Sequence, residues 1–270
     1  MSWYDRYRQI HDAILRRGTT GAYRQRYWTN PATGRRRDLT FCNYAVLEGL
    51  ERLRINTTGL RAGRHPGPTA RNIRQDAYSA NTMFDYMYRQ SLRPNGNWLQ
   101  IYDNSLTQRL ANFGVTAVAG YRNPTRGRSG HVALVRPGPN SWVRNSSAPY
   151  LSNVGERATT GVIPHTESHG SSFRFFMNRN DPGLDRIMRL AESETRPNFI
   201  GPPSPSTSWM KNALRTTYRQ TRPSFVGPPS PTTQLMANLG IFERFHQETR
   251  PNFVGPPCPS TRLLQNLGFR

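Results

Sequence analysis

Apolar residues recur at helical spacing through the first third of the chain. Trp3, Tyr7, Ile10 and Ile14 stand at offsets of four, three and four, which predicts an amphipathic helix over residues 3–17 with arginines on much of its opposite face. "TNPATGRRRD" then reads as a loop, rich in turn formers. Phe41, Tyr44, Leu47, Leu50 and Leu53 recur at three-residue steps. They predict a second helix from about Thr40, capped by Asp38 or Thr40, with Cys42 about one turn in. "RINTTGLRAGRHPGPT" breaks the regularity. "ARNIRQDAYSANTMFDYMYRQ" predicts a third helix, and "SLTQRLANFG" a shorter one closed by Gly114.

The period then changes. "VTAVAGY", "HVALVRP" and "SSFRFFMN" are short β-branched or aromatic runs bounded by Gly, Pro and Asn, and they read as strands. Helices followed by a small antiparallel sheet make an α+β domain, with its end near Asn180 at the turn former "NDPG". The expected division is an N-terminal amphipathic helix over 1–18, a main domain over 19–180, and a repeat region over 181–270.

That last third contains three copies of one pattern. "TRPNFIGPPSPST" begins at Thr195, "TRPSFVGPPSPTT" at Thr221 and "TRPNFVGPPCPST" at Thr249. Each joins an extended Pro-rich stretch and an aromatic residue (Phe199, Phe225, Phe253) to a Ser/Thr pair able to cap a helix. Periods of 26 and 28 residues point to one supersecondary unit copied three times, stacked or displayed as an array. Such an array suits attachment to a surface or an assembly.

Charge narrows the choice of partner. The 270 residues carry a net +21, and Lys211 is the only lysine among 37 basic residues. Residues 181–270 hold 11 basic and 6 acidic residues, a net +5, which leaves +16 on residues 1–180. A field of this size favours a polyanion: nucleic acid, an anionic cell wall or an acidic membrane surface. "WYDRYR" and "AYRQRYW" interleave arginine with aromatics, as surfaces that stack bases do. No helix-turn-helix, finger or RNA-binding signature accompanies them, so nucleic acid ranks below the wall as a partner. No apolar run approaches the length of a bilayer span. "MSWYDRYRQIHDAILRRG" lacks the apolar segment of a secretory signal.

Two cysteines cannot make a disulfide framework or, alone, a structural zinc site. Cys258 stands where the other copies have Ser204 and Ser230, so serine serves there equally well. Cys42 remains, near a helix start where free N–H groups and the helix dipole favour thiolate. A thiolate nucleophile needs a base and a group to orient that base. His131 opens a strand beside Gly130, and Asn153 follows 22 residues later. "HTESH" sets His165 and His169 four apart, a zinc spacing on a helix, but its flanks do not read as helix and no third ligand is near. His65 lies in a Gly/Pro-rich loop that can line a cleft.

The segments "FCNYAVLEGL", "ANTMFDYM", "LTQRLANFGVTAVAGYRNP", "GHVALVRPGPN", "APYLSNVG" and "FRFFMN", in this order over residues 38–178, resemble the papain-like cell-wall amidases. These are the NlpC-like and CHAP-like peptidoglycan hydrolases of phage lysins and antibacterial effectors. The resemblance implies a papain-like fold and hydrolysis of stem-peptide amides through a thioester, with no metal or cofactor. It makes Cys42 the nucleophile, His131 the base and then acid, and Asn153 the orienting residue, where the family more usually has glutamine. It also implies action at the bacterial wall. The lack of a secretory signal makes phage lysis, virion delivery or specialised secretion the expected route. The repeats, outside the resemblance, are expected to tether the chain to a surface or assembly, to bind a delivery particle or secretion machine, or to mediate self-association. Two other readings stand beside it: a papain-like protease or deamidase acting on a protein, and a basic structural or nucleic-acid-associated protein in which Cys42 is core.

Overall fold

A computed structural model describes the chain apart from residues 1, 21–25, 30–35, 40, 62–76, 126–127, 139–148, 155–158, 163–172, 221–224, 251, 268 and 270. The chain divides into two compact units, Met1–Asp181 and Pro182–Arg270.

The first unit opens with helix α1 (Trp3–Thr20) and an antiparallel hairpin of β1 (Arg26–Thr29) and β2 (Arg36–Leu39). Three helices follow: α2 (Cys42–Arg52), α3 (Ala80–Ser91) and, after β3 (Trp98–Ile101), α4 (Asn104–Asn112). The remaining strands are β4 (Ala117–Tyr121), β5 (His131–Val135), β6 (Tyr150–Asn153), β7 (Thr159–Val162) and β8 (Arg174–Asn178). Six strands form one antiparallel sheet in the order β3-β8-β4-β5-β6-β7. This is an α+β arrangement.

Several boundaries differ from the sequence expectation for physical reasons. Three strands were expected in the sheet and six are present. The additional ones, β3, β6 and β7, have four residues each, too few for an alternation to register. The stretch expected to be loop, residues 29–38, holds the last residue of β1 and most of β2. Asp38 pairs with Tyr27 inside that hairpin and so does not cap α2; Thr40 lies outside the described residues. Helix α2 begins at Cys42 itself, with Phe41 as an N-cap that makes no side-chain hydrogen bond. Helix α3 begins at Ala80, where the Ser79 hydroxyl accepts the Thr82 N–H; before it, Ala77 bridges to Arg61.

The helical stripes meet on the sheet. Tyr7, Ile10 and Ile14 of α1, Leu47 and Leu50 of α2, and Met83 and Met87 of α3 pack with Val118, Leu134 and Phe176 in one core. Gly49 fixes how closely α2 approaches β5: a Cβ there would stand 2.3 Å from Leu134 Cδ1. Any side chain at 49 would therefore have to displace the Leu134 side chain that packs there.

A polar thread crosses this core. His11 is fully buried, and its Nδ1 meets the Ser152 hydroxyl at 2.9 Å. Nearby, Arg136 pairs with Asp12 at 2.7 Å. Gln108 donates to the Arg136 carbonyl and accepts the Tyr150 N–H. Together α1 and α4 pin the facing ends of β5 and β6. Burial, assisted by the Arg136 charge, pushes the His11 imidazole down to about 3.

Among the described residues the second unit holds five helices: α5 (Pro182–Glu194), α6 (Pro205–Gln220), α7 (Pro231–Asn238), α8 (Ile241–Glu248) and α9 (Pro259–Asn266). Helix α9 returns to pack on α5, where buried Glu192 accepts from both Arg196 and Arg262. One local geometry recurs before α6, α7 and α9. Glu194, Gln220 and Glu248 each accept the backbone N–H ten residues on, from Ser204, Ser230 and Cys258. Gly201, Gly227 and Gly255 turn the preceding loop at φ of 125°, 128° and 131°. Ile200, Val226 and Val254 each stand 95 % exposed. Among the described residues of both units, no helix is long and apolar enough to cross a membrane.

The His11 environment carries a pH prediction. The folded state holds the imidazole neutral while the unfolded chain protonates near 6.5, so the unfolded state binds more protons below that pH. The contribution is fully present above about 6.5 and is lost toward 3, at about 1.4 kcal/mol per pH unit. Urea unfolding at pH 6.5 and pH 5 should show a decline of about 2 kcal/mol that is absent in His11→Leu.

Candidate active site

Cys42 is the first residue of α2 and is 1 % exposed. The first turn of a helix has N–H groups without intrahelical partners, and Phe41 offers them no side-chain cap. Two backbone donors reach the sulfur, the N–H groups of Asn43 and Val132. The third neighbour is the His131 side chain, which hydrogen-bonds to Cys42. Burial pushes the thiol up, but the His131 charge and these hydrogen bonds outweigh it and hold Cys42 below its ordinary value. The site thus eases loss of the Cys42 proton relative to an ordinary thiol.

The sheet brings the third residue. In the β5–β6 register Leu134 faces Ser152, and this pair carries the face that meets Gly49 of α2 and His11 of α1. His131 and Asn153 lie an odd number of positions from that pair and so share a face with each other. There His131 Nε2–H donates to Asn153 Oδ1 at 2.6 Å, which leaves Nδ1 as the ring nitrogen for the sulfur. The Phe173 ring stands edge-on to the imidazole at 6.1 Å and also packs against Tyr121 at 5.7 Å. Cys42, His131 and Asn153, the three residues singled out in the sequence, therefore form one connected constellation.

Supporting contacts hold it in place, and these were not legible in the sequence. Asn43 donates to the Tyr78 carbonyl at 2.9 Å, tying the start of α2 to the turn before α3. Asn81, the second residue of α3, donates to the Arg128 carbonyl and accepts the Asn123 N–H. One side chain thus clamps both arms of the loop that leads into His131. Gly130 fits beneath that clamp because it has no Cβ; one would stand 2.2 Å from the Tyr121 carbonyl and 2.4 Å from Asn81 Oδ1. Asparagines in turns are common, so no sequence signal separates Asn81 from its neighbours.

No known protein family, curated protein or solved structure matches this chain. Its chemistry is accordingly read from the side chains themselves: a sulfur with a lowered ionisation, a base in contact with it, an amide orienting the base, and backbone donors at a helix start. That set is equipped for nucleophilic attack on a carbonyl carbon. His65, His165 and His169 lie outside the described residues. Among the described residues no group of three or more His, Cys, Asp and Glu converges as metal ligands. Cys258, like Cys42, is a free thiol.

Gly130→Ala tests the clamp. The added methyl meets backbone rather than a mobile side-chain end, so stability should fall by about 1–3 kcal/mol. Denaturant unfolding measures this, and a variant as stable as the parent would show that the loop before His131 yields freely.

Proposed function

We propose that the first unit is a papain-like cysteine hydrolase that cleaves amide bonds of the peptidoglycan stem peptide. The observation that carries this reading is the imidazole of His131, engaged by Asn153 Oδ1 at 2.6 Å and in hydrogen-bond contact with Cys42 on its other side. The helix-then-sheet order and the segments quoted above support the fold assignment.

In the proposed cycle the Cys42 thiolate attacks the amide carbonyl carbon. A C–S bond forms and the carbonyl π electrons move onto oxygen. Backbone N–H groups at the uncapped start of α2 stabilise that oxyanion. Collapse breaks the C–N bond, and the His131 imidazolium gives its proton to the leaving amine. The neutral imidazole then takes a proton from water, whose oxygen attacks the thioester carbon. The second collapse breaks C–S and restores the thiolate–imidazolium pair with release of the acid. Asn153 keeps the ring turned so that one nitrogen faces the sulfur throughout. No metal or cofactor enters these steps.

The net +16 on residues 1–180 supports an anionic wall over a neutral substrate, since wall polymers concentrate cationic proteins at low salt. On this reading the C-terminal unit attaches the enzyme to a particle, a secretion machine or the wall. The site of action is the bacterial wall, reached by lysis, virion delivery or specialised secretion.

Purified sacculi are the direct substrate. Digestion followed by mass spectrometry should release peptide fragments with new amine and carboxyl ends. Cys42→Ala should abolish release, His131→Ala should lower kcat by about 10²–10⁴-fold, and Asn153→Ala should lose less, with KM unchanged. Intact sacculi, together with cleavage or deamidation of a protein substrate, would move the same site to another substrate class.

A further inference from the structure

A second cleft lies in the C-terminal unit, remote in sequence from Cys42 and His131. Its volume of about 500 Å³ falls within the range of small-molecule sites. Asn212, Arg215, Thr216 and Arg219 line it from α6, joined by Tyr218 and Phe269. The first four stand at steps of three, one and three residues, so they share one helical face. Tyr218 and Phe269 meet edge to face at 4.8 Å, and both pack with Phe242, at 6.1 and 5.9 Å. The aromatic wall is therefore braced from behind.

The arginines are placed unlike three others in this unit. Arg189 pairs with Asp185, and Arg196 and Arg262 pair with Glu192. Arg215 and Arg219 are exposed, and among the described residues neither has an ion pair or a hydrogen bond. No carboxylate lines the cleft. Two like charges four apart on one helix face repel each other, and an anion between them turns that repulsion into attraction. Guanidinium forks match the oxygens of a phosphate, with the Asn212 amide and the Thr216 hydroxyl beside them as uncharged donors. The adjacent ring surface suits a flat, polarisable group, the pairing found where proteins hold bases by stacking.

We propose that this cleft binds a nucleoside phosphate, its phosphate between Arg215 and Arg219 and its base against Phe269 and Tyr218. The binding is independent of the hydrolase reading. It gives the C-terminal unit a ligand of its own: a free nucleotide or the end of a nucleic-acid strand.

Isothermal titration of the full chain with AMP, adenosine, ribose 5-phosphate and inorganic phosphate tests the assignment. AMP should bind about tenfold tighter than ribose 5-phosphate, the worth of one stacked base, and adenosine should bind weakly. Added salt should weaken AMP binding. Arg215→Gln and Arg219→Gln should each reduce AMP affinity several-fold while leaving the thermal midpoint unchanged, since both side chains are exposed. Phe269→Leu should erase the advantage of AMP over ribose 5-phosphate and spare the latter. Absence of AMP binding, equal affinity for AMP and ribose 5-phosphate, or indifference to both arginine substitutions would overturn the proposal. Tighter binding of a glycerol-phosphate oligomer than of AMP would overturn it too, and would mark a wall-polymer site instead.

Discussion

Helix α2 packs against strand β5 where the missing Cβ of Gly49 leaves room for the Leu134 side chain, and the proposed chemistry depends on that contact. Gly49 lets Leu134 enter the helix surface, and the same approach delivers the first residue of α2 to the first residues of β5. Cys42 then reaches His131, and the Val132 N–H reaches the sulfur. The apolar stripe of α2 and the Cys42–His131 pairing at its tip are two consequences of one interface.

The same interface sets up a competition at the sulfur. Removing Cys42 from water disfavours the thiolate, whereas the imidazolium, two backbone donors and the free end of a helix favour it. The balance holds the thiol below its ordinary value. An ordinary N-cap would have weakened that outcome, because a serine or aspartate at 41 would occupy the N–H groups that otherwise face the sulfur and an incoming oxyanion. Phe41 is a poor cap and a good core residue, buried at 6 % exposure. At this helix end, local stability gives way to reactivity.

Much of this was legible in the sequence where periodicity is long or where a residue type carries its own chemistry. The stripe of α1, the run from Phe41 to Leu53 and the strands around Val118, Val132 and Phe175 show themselves by spacing. Cys42, His131 and Asn153 stood out because thiol, imidazole and amide follow one another in a meaningful order. The four-residue strands were illegible: "WLQI" offers no period, and its place beside β8 is a long-range pairing that no local pattern encodes. The α2 cap was misread because Asp38 is a good capping residue by type, yet the hairpin with Tyr27 claims its backbone. Asn81, His11 and Ser152 were hidden for the same reason, since their partners are distant in sequence; Gly130 was legible as a point of close approach, but not what approaches it. The cleft on α6 was half visible: Asn212, Arg215, Thr216 and Arg219 share a face by spacing, but Phe269 joins them only through folding.

The most direct test of the account is the ultraviolet titration of the Cys42 thiolate, made in a Cys258→Ser background so that one thiol reports. The account predicts thiolate absorbance well below the ordinary thiol range of about 8.5, with His131→Ala returning the transition to that range or above it. A single transition at or above about 8.5, unmoved by His131→Ala, would show that sulfur and imidazole do not share a proton, and would contradict the account.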